Sequence, residues 1–242
     1  MIALPTVHEQ EPGRLNSNPL FYWNWAALEF NRLTHSLGGP HAGPTMSSRA
    51  LGLFHLAIHD AYFAVKPPAH GHWTTYLLPH DPTKEPDQID PMKRPSRLPA
   101  KPAGATDPVE AMAGAALYCL KRLYVPANTA DTSYPASVHM IFEKALDRVM
   151  ALYRDGYQYV APAYPGRDDD LNIARDLEPA ADIHARSVQG DSFRFGQIVA
   201  HRILQRLGVR SNEPGASDAG YAKPQPARFR FVDEPSNPIR RR

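Results

Sequence analysis

The sequence predicts an all-α protein: a helical bundle of about five helices joined by long, proline-rich connections. Three observations support this fold class. Apolar residues recur at spacings of three and four in five segments, no segment alternates apolar and polar residues for long enough to indicate a sheet, and 25 prolines in 242 residues interrupt the stretches between. We expect one bundle over 18–208, flanked by an N-terminal arm, 1–17, and an extended tail, 209–242.

The first predicted helix carries a favoured terminal residue at each end. Asn18 is a typical N-cap, Pro19 suits the first helical position, and Gly38-Gly39 is a typical stop. Apolar residues cover most of the circumference, so this helix should be buried between other elements. They form two lines: Phe21, Trp25 and Leu28 on one, and Trp23, Ala27, Phe30 and Leu37 on the other.

The second predicted helix runs from Thr45 to Val65 and ends before Pro67-Pro68. Residues 66–107 then lose all periodicity and hold nine prolines, which predicts a long wrapping loop. The apolar stripe of the helix consists of Ala50, Phe54, Ala57, Ile58, Ala61 and Val65. The loop residues expected to anchor on the bundle are Trp73, Tyr76, Leu77 and Leu78.

Three further helices are predicted in the rest of the chain. The third begins at Asp107, where Asp107 and Glu110 form a capping box and each satisfies an orphan amide. The fourth is expected over about 133–154 and the fifth over about 179–208, with Gly190 weakening its first half. The inward residues should be Val109, Met112, Ala116, Leu120 and Leu123, then Val138, Phe142, Ala145, Val149 and Leu152, then Gly196, Val199, Ala200, Ile203 and Leu207.

Composition excludes several classes of protein. With 27 basic against 25 acidic residues, the net charge gives no reason to expect a nucleic acid or an anionic membrane as partner. No window approaches the roughly 18 uncharged apolar residues of a membrane span, and the first residues lack the pattern of a secretory signal, so we expect a soluble protein of unknown location. Cys119, the single cysteine, excludes an internal disulfide, and its position near the core favours burial over nucleophilic use.

The densest candidate for chemistry is Ser48-Arg49-x5-His55-x3-His59-Asp60 on the second predicted helix. His55 and His59 lie one turn apart on one side and could hold a metal ion, while Arg49 with His55 could bind an oxyanion such as vanadate or phosphate. The structural interpretation makes both histidines interior or helix-interface residues that are hydrogen-bonded to neighbours, with Arg49 and Asp60 pairing locally. We favour it, because the motif contains no third ligand.

Two other clusters are weaker. His70-Gly71-His72 is expected to be a solvated loop and not a metal site, and Asp168-Asp169-Asp170 a charged approach to a helix, because the spacing of a calcium loop is absent. The sequence also lacks a nucleophile elbow, a phosphate-binding loop and a dinucleotide fingerprint. On spacing alone, no catalytic residue and no metal ligand is predicted.

Four segments resemble the fungal vanadium-dependent chloroperoxidases. The longest is NPLFYWNWAALEFNRLTHSLGGPHAGPTMSSRALGLFHLAIHDAYFAVKPP, and the others are DPVEAMAGAALYCLKRLY, DSFRFGQIVAHRIL and GYAKPQPARFRFVDEPSNP. The resemblance covers nearly all of 18–238 apart from the proline-rich loop and the stretch around 157–178. It implies the N-terminal helical domain of that family, whose full-length enzymes use vanadate and hydrogen peroxide to oxidise halide.

The resemblance does not bring the family's active site into this chain. In that family vanadate is held by a Lys, two Arg, a Ser-Gly backbone and one His ligand, with a second His as acid-base. These residues lie within the blocks Lys-x6-Arg-Pro, Pro-Ser-Gly-His and Ser-Arg-x5-His-x3-Asp of longer chains. This sequence has no Ser-Gly-His, Asp87 stands where a Lys should precede Arg94, and the Asp expected after His55 is displaced to Asp60. We therefore expect no cofactor in this chain and vanadate only in full-length relatives.

Together these expectations describe a noncatalytic N-terminal domain of a chloroperoxidase-like protein, truncated because the gene or gene model stops early and inactive alone. Its expected partner is the catalytic helical half, which relatives carry in the same chain. Two alternatives stay open. One is a small phosphatase-like or metal-binding enzyme using Arg49, His55 and His59, and the other is a docking module for a separately encoded catalytic half.

Overall fold

Five α-helices make up most of the part of the chain that the computed structural model describes, which confirms the all-α bundle. The helices are α1 (Pro19–Leu37), α2 (Pro44–Val65), α3 (Pro108–Tyr124), α4 (Ala136–Asp155) and α5 (Asp191–Arg206). The described residues are 18–68, 74–84, 96–125, 135–155, 158–159, 177–178 and 190–209.

A small antiparallel pair of strands, β1 (Gln158–Tyr159) and β2 (Leu177–Glu178), was not predicted. Two residues are too few to show an alternation of apolar and polar side chains, so the period-two criterion cannot detect such a strand.

The ends of α1 form as its terminal residues predict, but its burial is less complete. The Asn18 side chain accepts the Leu20 amide at 2.9 Å, and Gly38 adopts the left-handed conformation at φ 62°. Trp23, Ala27 and Phe30 are fully buried on one predicted line. The expected burial of the other line is wrong at its two ends, because packing against α2, α3 and α4 leaves Phe21 partly exposed and Leu28 36% exposed.

The core stripes of α2 and α4 are confirmed, because each of their predicted inward residues is buried. At the start of α3, Asp107 Oδ1 accepts the amides of Val109 and Glu110, as the capping box requires. The other half of that box is wrong. The Asp107 amide donates to Ser192 Oγ at 3.0 Å, so a side chain of α5 replaces Glu110 as its acceptor.

α3 and α5 lie side by side and approach each other closely. A Cβ atom at Gly114 would overlap the backbone of Phe193, and one at Gly196 would overlap the backbone of Ala111. Only glycine leaves room for this contact between two backbones. The predicted inward residues of α5 are buried, except that Leu207 is half-buried, and Gly190 is its N-cap. The predicted first half of this helix, 179–189, lies outside the described residues.

The described parts of the proline-rich loop attach to the bundle through alternate residues. Leu77 is 1% exposed and confirms its predicted role as an anchor. The same prediction is wrong for Tyr76 and Leu78, which are 46% and 52% exposed, because successive side chains of an extended chain point in opposite directions. Leu98 and Ala105 are buried instead. Trp73 lies outside the described residues.

Candidate functional site

α2 directs the four candidate residues toward different surroundings. In α-helical geometry His55 and His59 project from one side, about 6 Å apart along the axis. Arg49 precedes His55 by about 9 Å along the axis and lies about 120° away around it. The helix therefore brings the two histidines together but does not bring Arg49 to His55.

The Arg49 side chain is engaged at the end of another helix. Its Nη2 donates a hydrogen bond to the carbonyl oxygen of Leu207, the C-cap residue of α5, at 3.1 Å. Carbonyl groups at a helix C-terminus carry partial negative charge, so a guanidinium group stabilises them there. This contact gives Arg49 a structural function that ties α2 to α5.

Asp60 is a fully buried carboxylate that holds the proline-rich loop. Its Oδ1 accepts the Tyr76 amide at 2.8 Å and its Oδ2 accepts the Leu77 amide at 2.9 Å. The predicted local pairing of Arg49 with Asp60 is wrong. The two residues are eleven positions apart, about 16 Å along the helix axis, and each side chain has partners of its own.

The two histidines of α2 lie at its surface. His55 is exposed and its ring contacts Phe54 edge-on, with ring centroids 5.4 Å apart; partial desolvation lowers the pKa of His55. His59 is 33% exposed, its ring lies 4.8 Å from that of Phe63, and its Nδ1 is 3.2 Å from Asp60 Oδ1. The expectation that both histidines are interface residues within the bundle is therefore wrong for His55.

A metal ion would find few ligands around these histidines. Among the described residues, no group of three or more His, Cys, Asp or Glu side chains gathers in one place. The other candidate clusters, His70-Gly71-His72 and Asp168-Asp169-Asp170, lie outside the described residues. Cys119 is buried as predicted, and this burial raises the pKa of its thiol, which therefore stays protonated and poorly nucleophilic.

The sequence did not predict a hydrogen-bonded pair that joins α3 and α5. Tyr118 Oη lies 2.7 Å from His201 Nδ1. Burial raises the pKa of Tyr118, while burial and the charges of Arg122 and Arg202 lower the pKa of His201, so the phenol donates to a neutral imidazole. The two residues are 83 positions apart, and only the register between α3 and α5, which periodicity does not give, brings them together.

Comparison with known proteins identifies the family. Residues 4–163 match the model of the vanadium chloroperoxidase N-terminal domain. The chain belongs to this family. It is similar to the vanadium chloroperoxidase of Curvularia inaequalis, with 35% identity over 249 residues that cover 98% of this chain and 32% of the relative. The resemblance seen in the sequence is confirmed, and the chain spans about a third of this curated relative.

No helix among the described residues of this vanadium chloroperoxidase relative is long and apolar enough to cross a membrane. Its candidate residues divide into two groups. Arg49 and Asp60 tie parts of the domain together, whereas His55 and His59 face outward from α2. No single arrangement combines the arginine and histidine of the sequence motif.

Proposed function

We propose that this chain is a noncatalytic helical domain of a vanadium chloroperoxidase-like protein and is inactive alone. Vanadate binding and peroxide-dependent oxidation of halide then belong to polypeptide outside the 32% of the relative that the chain matches. The observation that supports this proposal best is the contact of Arg49 with the C-terminal carbonyl of α5, on a different side of α2 from His55.

The chemistry of vanadate explains why this observation matters. A multiply charged oxyanion is stabilised by several fixed cations and N–H donors that converge on its oxygen atoms. Arg49 is one cation, its Nη2 is engaged with Leu207, and His55 projects about 120° away around the helix axis. These residues do not fit a shared vanadate site, so we derive no catalytic step from them.

The bundle of residues 18–208 would then act as a packed support for the rest of the protein. Its core contains fully buried aromatic side chains such as Trp23, Phe30 and Phe142. A rigid domain of this kind can support a catalytic domain without touching the reacting atoms, as a scaffold fixes the position of functional elements. We infer that the catalytic helical half is its partner, supplied in the same chain in relatives.

Thermal unfolding of the purified chain with orthovanadate or inorganic phosphate tests this proposal. A ligand at one hundred times its dissociation constant stabilises a protein by about 2.7 kcal/mol. We expect no change in melting temperature at millimolar concentrations of either anion. An increase that disappears in Arg49→Gln or His55→Gln, but persists in the control Arg148→Gln on the exposed side of α4, would contradict the proposal.

A metal-binding or phosphatase-like enzyme is the alternative, and the placement of His55 and His59 one turn apart on an exposed side of α2 favours it. Titration with Zn²⁺, followed by calorimetry, separates the two proposals. Tight binding that is lost in His55→Gln and in His59→Gln supports the metal site. Equally weak Zn²⁺ binding by the wild-type chain, His55→Gln and His59→Gln supports the noncatalytic domain.

A further inference from the structure

The outward side of α2 carries no charged residue, although the helix is 22 residues long. Its two charged residues, Arg49 and Asp60, both turn toward other parts of the domain, where they bind Leu207 and the loop amides. We call the outward side the α2 outer face. It consists of Ser48, Gly52, His55, His59, Tyr62 and Phe63, each exposed or partly exposed.

α4 shows what a solvated helix in the same molecule looks like. Its exposed positions carry Glu143, Lys144, Asp147 and Arg148, so charged groups of both signs line the side that faces water. Charged residues are depleted at the cores of protein interfaces, and aromatic residues are enriched there. By this criterion α4 is typical of a free surface and the α2 outer face is typical of an interface.

The local geometry of the α2 outer face permits close contact. Gly52 is exposed, and a Cβ atom built there would meet nothing within 4 Å, so the helix backbone itself is accessible. Beyond it along the helix, Phe63 packs against His59 with ring centroids 4.8 Å apart and against Tyr62 at 5.2 Å. Gly52 and these rings lie on the same side of α2, so one partner can contact both.

We propose that the α2 outer face is the docking surface for a helical segment of the polypeptide that the relative carries outside the matched region. The inference rests on the proposed function and names the surface through which it operates. The length of the relative supports this occupant, because this chain matches 32% of it and most of its polypeptide lies elsewhere. The docking segment should be uncharged where it crosses Gly52 and should offer hydrogen-bond partners to the two imidazole rings.

Two substitutions test the surface without disturbing the domain. Gly52→Lys places a long charged side chain where the structure leaves open space, and lysine favours a helix more than glycine does. His55→Glu places a charge at an exposed position nearby. The matched control is Met140→Lys, which adds the same charge to an exposed position of α4 that is 50% accessible.

The binding partner in the test is the remaining part of the Curvularia inaequalis chloroperoxidase, co-expressed with this chain and also fused to it. Affinity is measured by surface plasmon resonance, and the fusion is melted in a calorimeter. We expect wild type and Met140→Lys to bind and to melt with the partner in one transition. Gly52→Lys and His55→Glu should weaken binding by about tenfold or more, as a buried unpaired charge does, and should split the transition in two.

The outcomes separate the two proposals. Equal binding by wild type, Gly52→Lys and His55→Glu overturns the docking surface and leaves the proposed function standing. Failure of the wild-type chain to bind in either format overturns the docking surface and the inferred partner, whereas the noncatalytic assignment is overturned only by the stabilisation with vanadate or phosphate described above. A dimer of the chain alone, seen by light scattering and lost in Gly52→Lys, assigns the α2 outer face to a second copy and overturns the occupant proposed here.

Discussion

Glycine has opposite roles in two regions of the molecule. One is the contact between α3 and α5, and the other is the α2 outer face. Gly114 and Gly196 lie where two backbones touch, so that neither position has room for a methyl group. Gly52 faces open space on a helix whose outward side lacks charge. The first region is therefore required for the fold of this domain, whereas no described residue explains the composition of the second.

Adding a methyl group at each glycine should give the largest effect and the clearest difference between the two regions. Gly114→Ala and Gly196→Ala should each lower the free energy of unfolding by about 3 kcal/mol, because the new methyl group forces the helices apart. Gly52→Ala should instead raise it by about 0.5–1 kcal/mol, through helix propensity alone. Urea denaturation measures all three. A loss in Gly52→Ala comparable to that in Gly114→Ala would show that the α2 outer face is packed.

Asp60→Asn should have the next largest effect, because it removes a buried acceptor from the link between α2 and the loop. The amide side chain has one acceptor oxygen for two backbone amides, so we expect a loss of about 2 kcal/mol. Asp107→Asn is the matched control, since asparagine is an equally good N-cap, and its effect should stay within about 0.5 kcal/mol. Equal losses in the two variants would contradict the assigned function of Asp60.

Local signals predicted the helices of this domain well. Asn18, Pro19 and Asp107 determine helix starts through contacts within four residues, and the stripes of α2 and α4 follow from helical period. Such signals depend only on neighbours in the sequence, so they can be read before any packing is known.

The partners of polar side chains could not be predicted in the same way. Arg49 binds Leu207, the Asp107 amide binds Ser192, and both partners come from α5 or its end. These contacts depend on which helices lie side by side and in what register, and hydrophobic periodicity contains no such information. The wrong pairing of Arg49 with Asp60 has this cause, and so does the missed Tyr118–His201 pair.

Arg49→Gln should have a moderate effect that differs from the effect of removing an exposed arginine. It removes a charged donor from the C-terminus of α5, which should cost about 1 kcal/mol. Arg148→Gln on the exposed side of α4 should change the free energy of unfolding by less than about 0.5 kcal/mol. Equal small effects in the two variants would show that the Leu207 contact contributes nothing.

The smallest expected effect is a change in how the free energy of unfolding depends on pH, and it involves the Tyr118–His201 pair. Burial, Arg122 and Arg202 lower the pKa of His201, so the unfolded chain binds the proton more readily than the folded domain. The ordinary pKa of histidine is 6.5. The contribution of His201 to the free energy of unfolding should therefore be fully present above this pH and should be lost as the pH falls below it. His201→Gln should flatten this fall between pH 7.5 and pH 5 in urea titrations. A fall that stays equally steep, or stability that rises toward acid pH, would contradict this assignment.

Histidine labelling with diethyl pyrocarbonate tests the docking function of the α2 outer face most directly. The reagent modifies accessible neutral imidazoles, and mass spectrometry compares the isolated chain with the fusion to the rest of the Curvularia inaequalis chloroperoxidase. We predict that His55 and His59 react in the isolated chain and become protected in the fusion, while the exposed His35 of α1 reacts in both. Equal labelling of His55 and His59 in the two proteins would contradict docking at the α2 outer face.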